Sequence, residues 1–332
     1  MRPSRRSASW YLHSPMRQSL FPSVSTLAEY EKIRHEDERF LPGALMIRDQ
    51  LGLGALTLER FADGSLPVFA LGESHVLKLY PPFERRERDI EAAALRATEH
   101  RLPIPTPELH AVGSFADWGY ILMSRLHGRS LEEAWPEMAA EDHLRLMSEL
   151  GPALAALHAI RGPMLDPLRH SWPAFLDEQR RTAVARQRER GLDEEWCGQI
   201  DGFLNRTSLG DAPAESLLHT EIMRNHLLVD RGPRGWRITG LFDFEPAMVG
   251  DVEYEFVAAG LFVTGGEPAL FRRLLLAYGY TDTQVEAEFT LRLMAYGLLH
   301  RYSNVKWFLQ RMPPPEGATR LEELARRWWE VA

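Results

Sequence analysis

Between Leu217 and Gly250 the chain reads LLHTEIMRNHLLV, a short Gly/Pro-rich turn, and then WRITGLFDFEPAMVG. The apolar runs Leu227–Val229 and Ile238–Phe242 flank the turn Asp230–Gly235, which is the pattern of a β-hairpin. A hairpin brings whatever precedes its first strand close to whatever follows its second. Here the preceding loop carries His219, Glu221, Asn225 and His226, and Asp243 directly follows the second strand. Two carboxylates far apart in the chain are thereby expected in one place.

The length of 332 residues allows one large or two medium domains, and 45% apolar with 26% charged residues is ordinary for a soluble globular chain. No uninterrupted apolar run approaches the roughly 20 residues that a membrane helix needs, so no membrane partner is expected. Cys197 is the single cysteine, which rules out an intramolecular disulfide or a Cys-based zinc site and suggests a reducing cytoplasm. The net charge of −8 opposes general nucleic-acid binding. The first 28 residues hold Arg2, Arg5, Arg6 and Arg17 with no acidic residue, leaving −12 for the remainder. Residues 1–26 are read as a disordered basic tail, with an over-extended start or a transit peptide as alternatives.

Helical signals cover residues 27–52, with a break expected at Pro42-Gly43. From Ala55 to Tyr80 the alternation turns to β-type around two turns, Asp63–Gly64 and Gly72–Glu73. A charged helix is predicted over Glu84–His100, then an extended segment at Pro103–Pro107, then a buried strand at Tyr120–Arg125. The rest reads as mainly helical. Leu144, Met147, Leu150, Leu154 and Leu157 recur at helical spacing around Pro152, which should start a new helix or kink one. Residues 172–206 read as charged helix and 284–311 as long apolar helix.

Lys78 lies in the apolar strand VLKLY and needs an anionic partner or an exit to solvent. Glu91 shares a helical stripe with Ala94, Leu95 and Thr98, where a carboxylate is costly unless paired. A Lys78–Glu91 ion pair is the expectation, against a surface pair of Glu91 with Arg88. Asp251 begins a helix, so an N-cap role explains it.

These ordered motifs, over residues 55–310, resemble the aminoglycoside phosphotransferase and choline kinase family, which shares the protein-kinase fold. LPIPTPELHAVGSF and FDFEPAMVGDVEYE look closest to the hygromycin phosphotransferase branch. The resemblance implies an α+β bilobal fold: an N-lobe over 27–123, made of a small antiparallel sheet plus one helix, and a larger helical C-lobe over 124–332. It implies ATP with Mg²⁺, or alternatively Mn²⁺, as cofactors, a small-molecule substrate, and phosphorylation of a hydroxyl on an antibiotic-like or sugar-containing compound, as in antibiotic resistance. Lys78 would grip the phosphates with Glu91 as its partner, and Gly64 and Ser65 would occupy the phosphate-covering turn. Met123, Ser124 and Leu126 would form the adenine hinge. Asp243 would hold the metal and Asp251 would tie down the catalytic loop.

The catalytic loop departs from the family's His-x-Asp followed by Asn. Glu221 stands in the base position and His226 in that of the second metal ligand. Imidazole is a poor ligand for Mg²⁺ and an acceptable one for Mn²⁺ or Zn²⁺. Two other readings therefore stay open: a catalytically weak or silent nucleotide-binding relative, and a metal enzyme in which His219, Glu221 and His226 ligate iron or zinc. For the acceptor, Glu245, Glu253, Glu255 and Glu267 are candidates for an acidic mouth. Phe262, Tyr296, His300, Tyr302 and Trp307 are candidates for an aromatic wall.

Overall fold

An antiparallel sheet of order β1-β2-β3-β5-β4 organises the N-terminal third of the chain, from β1 (Leu58–Arg60), β2 (Val68–Leu71) and β3 (His75–Tyr80) to β4 (Leu109–Phe115) and β5 (Trp118–Ser124). It belongs to a computed structural model that describes residues 20–62, 64–209 and 215–331. β5 is interior, paired with β3 on one side and β4 on the other, and its run WGYILMS is largely buried, so it shows no polar alternation. β4 was not apparent in the sequence. Its residues alternate only between half-buried and exposed, the weak pattern of a strand at the sheet edge.

Two short helices precede the sheet, α1 (Leu27–Glu31) and α2 (Leu41–Gln50). Pro42 and Gly43 do not break a helix, as expected from the sequence, but sit in the first turn of α2. Proline is tolerated there because its missing N–H has no intrahelical partner to lose. Gly43 is where the Phe21 ring packs, and a Cβ would collide with it. Phe21 also stacks on Trp118 at 5.2 Å, so Phe21 and Val24 are buried although the sequence placed them in the tail. Residues 1–19 lie outside the described residues.

The helix α3 (Arg85–Thr98) lies against the sheet through Glu91, Ala92, Ala93, Ala94, Leu95 and Ala97, a small-residue face that permits close approach. The remaining elements are mostly helical: α4 (Leu131–Ala134), α5 (Ala140–His158), α6 (Trp172–Glu189), α7 (Glu194–Cys197), α8 (Ile200–Arg206), α9 (Val252–Ala258), α10 (Pro268–Tyr278), α11 (Ala287–Leu299), α12 (Val305–Arg311) and α13 (Leu321–Trp329). The α5 helix runs through Pro152 as one element, and Leu144, counted in the helical stripe, is 38% exposed. The predicted apolar helix over 284–311 is two helices, α11 and α12, separated at His300–Asn304. No helix among the described residues is long and apolar enough to cross a membrane.

The hairpin exists as β8 (Leu227–Gly232) and β9 (Gly235–Leu241), joined across Pro233 and Arg234 and flanked by β6 (Arg129–Ser130). A further pair, β7 (Ser216–Leu218) with β10 (Met248–Gly250), closes the neck of the loop. The extended Pro103–Pro107 segment bonds to this unit, with the Leu241 N–H donating to the Pro105 carbonyl at 3.0 Å.

α5 and α10 meet backbone to backbone at Gly151, where an added Cβ would lie 2.6 Å from the Tyr278 nitrogen. Alanine normally gains about 1 kcal/mol over glycine inside a helix. At this contact Gly151→Ala should instead lose about 1–3 kcal/mol by overpacking, measured by chemical denaturation.

Candidate active site

Lys78 on β3 is the meeting point of both halves of the fold. Its Nζ donates to Glu91 Oε2 on α3 at 2.7 Å and to Asp243 Oδ1 after β9 at 2.6 Å. Glu91 is 1% exposed and also accepts from the Tyr80 hydroxyl, while Asp243 is 33% exposed. Arg88, the rival partner for Glu91, bonds instead to Asp89, Ser114 and the Gly113 carbonyl. Burial by itself would push the Lys78 ammonium toward neutrality. Asp243 and Glu91 outweigh it and hold the group charged far above the ordinary lysine range. Burial likewise opposes ionisation of Asp243, but Lys78 and then His226 overcome it and hold the carboxyl well below the usual range.

The loop His219–Glu221 is gripped by one buried carboxylate. Glu255 Oε2 accepts from the His219 N–H at 2.6 Å and its Oε1 from the Thr220 N–H at 2.8 Å. Asp251, expected to do this, instead caps α9 through the Glu253 N–H and accepts from the Tyr296 hydroxyl at 2.8 Å. Thr220 adopts φ 71°, strained for a β-branched residue. The strain is over-determined by its neighbours: Thr220 Oγ1 donates to the Pro246 carbonyl, and the Thr220 carbonyl accepts from His300 Nε2 at 3.2 Å.

Two histidines buttress this loop in the same way. His219 Nε2–H donates to the Phe242 carbonyl while its Nδ1 accepts from the Glu221 N–H. His300 Nε2–H donates to the Thr220 carbonyl while its Nδ1 accepts from the Tyr302 N–H. Burial is the main cause that lowers His219 to about 4 and His300 to about 3. With both ring nitrogens engaged, His219 has no lone pair for a metal. The reading of His219, Glu221 and His226 as an iron or zinc triad therefore falls.

His226 is placed by the hairpin, because the Phe242 N–H donates to the His226 carbonyl and extends the β8–β9 ladder. Its Nδ1–H donates to the Glu221 carbonyl at 2.8 Å, and its Nε2 faces Asp243 Oδ2 at 3.5 Å. An imidazole nitrogen facing a carboxylate oxygen needs a proton or a cation between them. The donor set fits a divalent ion, and one nitrogen with one oxygen favours Mn²⁺ over Mg²⁺. Asn225, one residue earlier, is exposed.

Glu221 is half-buried; burial raises its carboxyl above the usual range, with His226 opposing and Asp243 reinforcing. It lines a cavity of about 250 Å³, together with Met223, Leu261, Phe262, Tyr302 and Trp307 among others. His300 is also in that wall, whereas Tyr296 is buried beneath Asp251.

The expected acidic mouth does not form. Glu255 is buried under the loop, Glu253 is bonded twice to Arg292, and Glu267 is exposed at the start of α10. Glu245 instead senses Lys78 and Asp243, and burial followed by Asp243 and Glu91, against Lys78, pushes it up to about 7.

The other expected nucleotide residues make no direct bond to the Lys78 cluster. Gly64 has φ 119° in an exposed turn, and the Ser65 carbonyl accepts from the Tyr30 hydroxyl at 2.7 Å, which tethers that turn to α1. Asp63 lies outside the described residues. At the hinge Met123 is buried, and the Ser124 N–H is taken by the Glu108 carbonyl at 2.9 Å, so it is not open to a base edge. Leu126 packs on Gly240 of β9, where a Cβ would lie 2.8 Å from its Cδ1.

Glu255→Gln puts an amide N–H against a loop N–H. It should destabilise the fold by about 1–3 kcal/mol, measured by chemical denaturation, because the buried amide leaves a loop donor without its acceptor. His219 and His300 also set a pH dependence. Both have lowered folded pKa values, so below about pH 6.5 the unfolded chain binds more protons and stability falls as pH falls. The loss reaches up to ~1.4 kcal/mol per pH unit for each, flattening near 4 for His219 and near 3 for His300. His300→Gln should make the denaturation-versus-pH slope between pH 6 and 4 shallower by about one such increment.

Comparison with known proteins bears on the family and the fold. Residues 57–289 match the pattern described as "Phosphotransferase enzyme family" (APH). Wild-type aminoglycoside 2'-phosphotransferase-IIIa in its GDP complex superposes with a TM-score of 0.66 at 16% identity, covering 86% of this chain and 98% of that one. ADP-bound aminoglycoside phosphotransferase APH(2'')-Ib gives 0.58 at 16% identity, over 87% and 97%. Macrolide 2'-phosphotransferase MphH from Brachybacterium faecium gives 0.58 at 20% identity, over 83% and 99%. With a small antiparallel sheet, one helix bearing the lysine's partner and a helical C-terminal region, the fold is α+β and kinase-like, and the chain belongs to the APH phosphotransferase family.

Proposed function

We propose that this chain transfers the γ-phosphoryl group of ATP to a hydroxyl of a small molecule in the cytoplasm, an antibiotic-like or sugar-containing compound being the class that the resemblance implies. The observation that carries this reading is the convergence of Lys78, Glu91, Asp243, His226 and Glu221, contributed by sheet, helix and hairpin, at one place. A divalent ion bound with the nucleotide would neutralise charge on the phosphate oxygens. Asp243 would hold that ion, with the His226 Nε2 beside it. Lys78, kept charged by Glu91, would place its ammonium against the phosphates once Asp243 turns to the ion. Gly64, Ser65, Met123 and Leu126 would enclose the rest of the nucleotide, without the Ser124 N–H, which the Glu108 carbonyl holds.

Glu221 would accept the acceptor's hydroxyl proton as that oxygen bonds to the γ-phosphorus. The bond from the γ-phosphorus to the bridging oxygen breaks, and its electron pair leaves on ADP. A carboxyl raised by burial is closer to the working pH and so better matched to a base role. The replacement of the family's Asp and Asn by Glu221 and His226 motivates a second reading, a nucleotide-binding relative with little or no turnover.

Thermal-shift assays with ATP plus MgCl₂ or MnCl₂ should raise the apparent stability, because a ligand that binds only the folded state stabilises it. Asp243→Ala should remove that shift. Glu221→Ala should keep it while lowering turnover by about 10²–10⁴-fold. Absence of a shift with either ion would end the phosphotransferase reading, and unchanged turnover in Glu221→Ala would remove that residue from the mechanism.

A further inference from the structure

Resting on that phosphotransferase reading, we propose that the acceptor is an uncharged, ring-bearing alcohol whose apolar ring stacks on Phe262 and Trp307 while its hydroxyl reaches Glu221. A polycationic amino sugar does not fit this site. The first observation is the composition of the cavity. Its walls are apolar at Met223, Val257, Leu261, Phe262, Trp307 and Phe308 and polar at Thr220, His300, Tyr302 and Asn304, and Glu221 is the single carboxylate among its lining residues. Several ammonium groups brought against such a wall would lose their hydration with one anion to replace it.

The second observation is the charge of the rim. Aromatic rings can attract cations through their faces. Here Arg311 already lies over the Trp307 ring at 4.8 Å. Arg224 stacks on Trp135 at 3.5 Å and donates to the carbonyl of Val263, the residue after Phe262, at 2.8 Å. Glu132 is in turn paired with Arg311 at 3.7 Å, so these rings and their arginines offer a cationic acceptor no free anion. Of the four glutamates that would have served one, Glu253 and Glu255 are engaged, and neither Glu245 nor Glu267 lines the cavity.

The third observation is that the wall is pre-formed. Leu261 and Phe262 sit on a π-helical turn, Ala259–Val263, a form often found at functional sites. Its back is braced by α13, because Trp329 packs on Gly260 so closely that a Cβ would collide with the indole. Phe262 and Trp307 pack against each other at 5.4 Å between ring centroids, with their planes tilted by 54°. A volume of about 250 Å³ is near the lower edge of small-molecule sites, which span roughly 300–1,000 Å³, so it takes one ring system rather than a chain of sugars.

The test is equilibrium binding to the full chain of two probes, naphthylethanol as a neutral ring alcohol and kanamycin as a polycation. Naphthylethanol should bind with one-to-one stoichiometry and should weaken about tenfold or more in Trp307→Ala, whereas kanamycin should show no binding at the same concentrations. Trp307 is 37% exposed, so its truncation should leave the fold intact, and an unchanged Tm with binding retained in Trp307→Phe verifies that. Tighter binding of kanamycin, no binding of naphthylethanol, or equal binding by Trp307→Ala would each overturn the assignment. The ATP thermal shift separates the two readings. A shift present while kanamycin wins removes only the acceptor class, and a missing shift with naphthylethanol bound removes the phosphotransferase reading while the apolar site stands.

Discussion

A lysine on a buried strand is tolerable only if its charge is answered, and Lys78 is answered from both sides of the molecule. Glu91 arrives from the helix packed on the sheet, and Asp243 arrives from the hairpin. The two partners differ in a way that separates stability from chemistry. Glu91 is enclosed, so breaking its pair would strand a buried charge at a cost of about 3–5 kcal/mol. Asp243 is one-third exposed, and water or an ion can replace the ammonium there at much smaller cost. The enclosed pair therefore holds the sheet and helix in register. The open pair is the one free to rearrange.

Strain in the neighbouring loop is maintained by the same logic of over-determination. Thr220 and Asp243 both hold positive φ, at 71° and 70°. Such conformations cost about 1–3 kcal/mol each. A charged acceptor contributes roughly 1.5–3 kcal/mol per hydrogen bond, and Glu255 makes two at consecutive amides. The imidazoles of His219 and His300 add four more contacts in a fixed tautomer. On the proposed reading, a loop held this way would present Glu221 without needing to reorganise when a substrate arrives.

Much of this was legible in the chain because it follows from short-range pattern. The hairpin declared itself through a turn between two apolar runs. Lys78 and Glu91 were legible because each is an ionisable group on an otherwise apolar stripe, and such groups must find each other. What was not legible depended on contacts between distant short elements. β7 and β10 are three residues each, too short for a periodic signal, yet their pairing sets Glu255 rather than Asp251 under the loop. The four glutamates form no acidic mouth because proximity in sequence is not proximity in space. Glu253 and Glu255 lie two apart on one helix and so point in nearly opposite directions, the first to Arg292 and the second inward. That geometry was available from helical spacing alone.

The two departures from the family's catalytic loop occupy one hydrogen-bonded unit, and this bears on how they act. His226 donates Nδ1–H to the carbonyl of Glu221 itself, so the imidazole is oriented by the residue that stands in the base position. Only Nε2 then remains to face Asp243, which limits His226 to a single nitrogen ligand beside a single carboxylate oxygen. Magnesium prefers an all-oxygen octahedron, whereas manganese accepts nitrogen in its shell. The same imidazole lies close enough to Glu221 to oppose the rise in its pKa that burial and Asp243 produce. The ring nitrogen thus moderates a rise that burial still dominates, and on the proposed reading the pair would shift the site's metal preference rather than dismantle it.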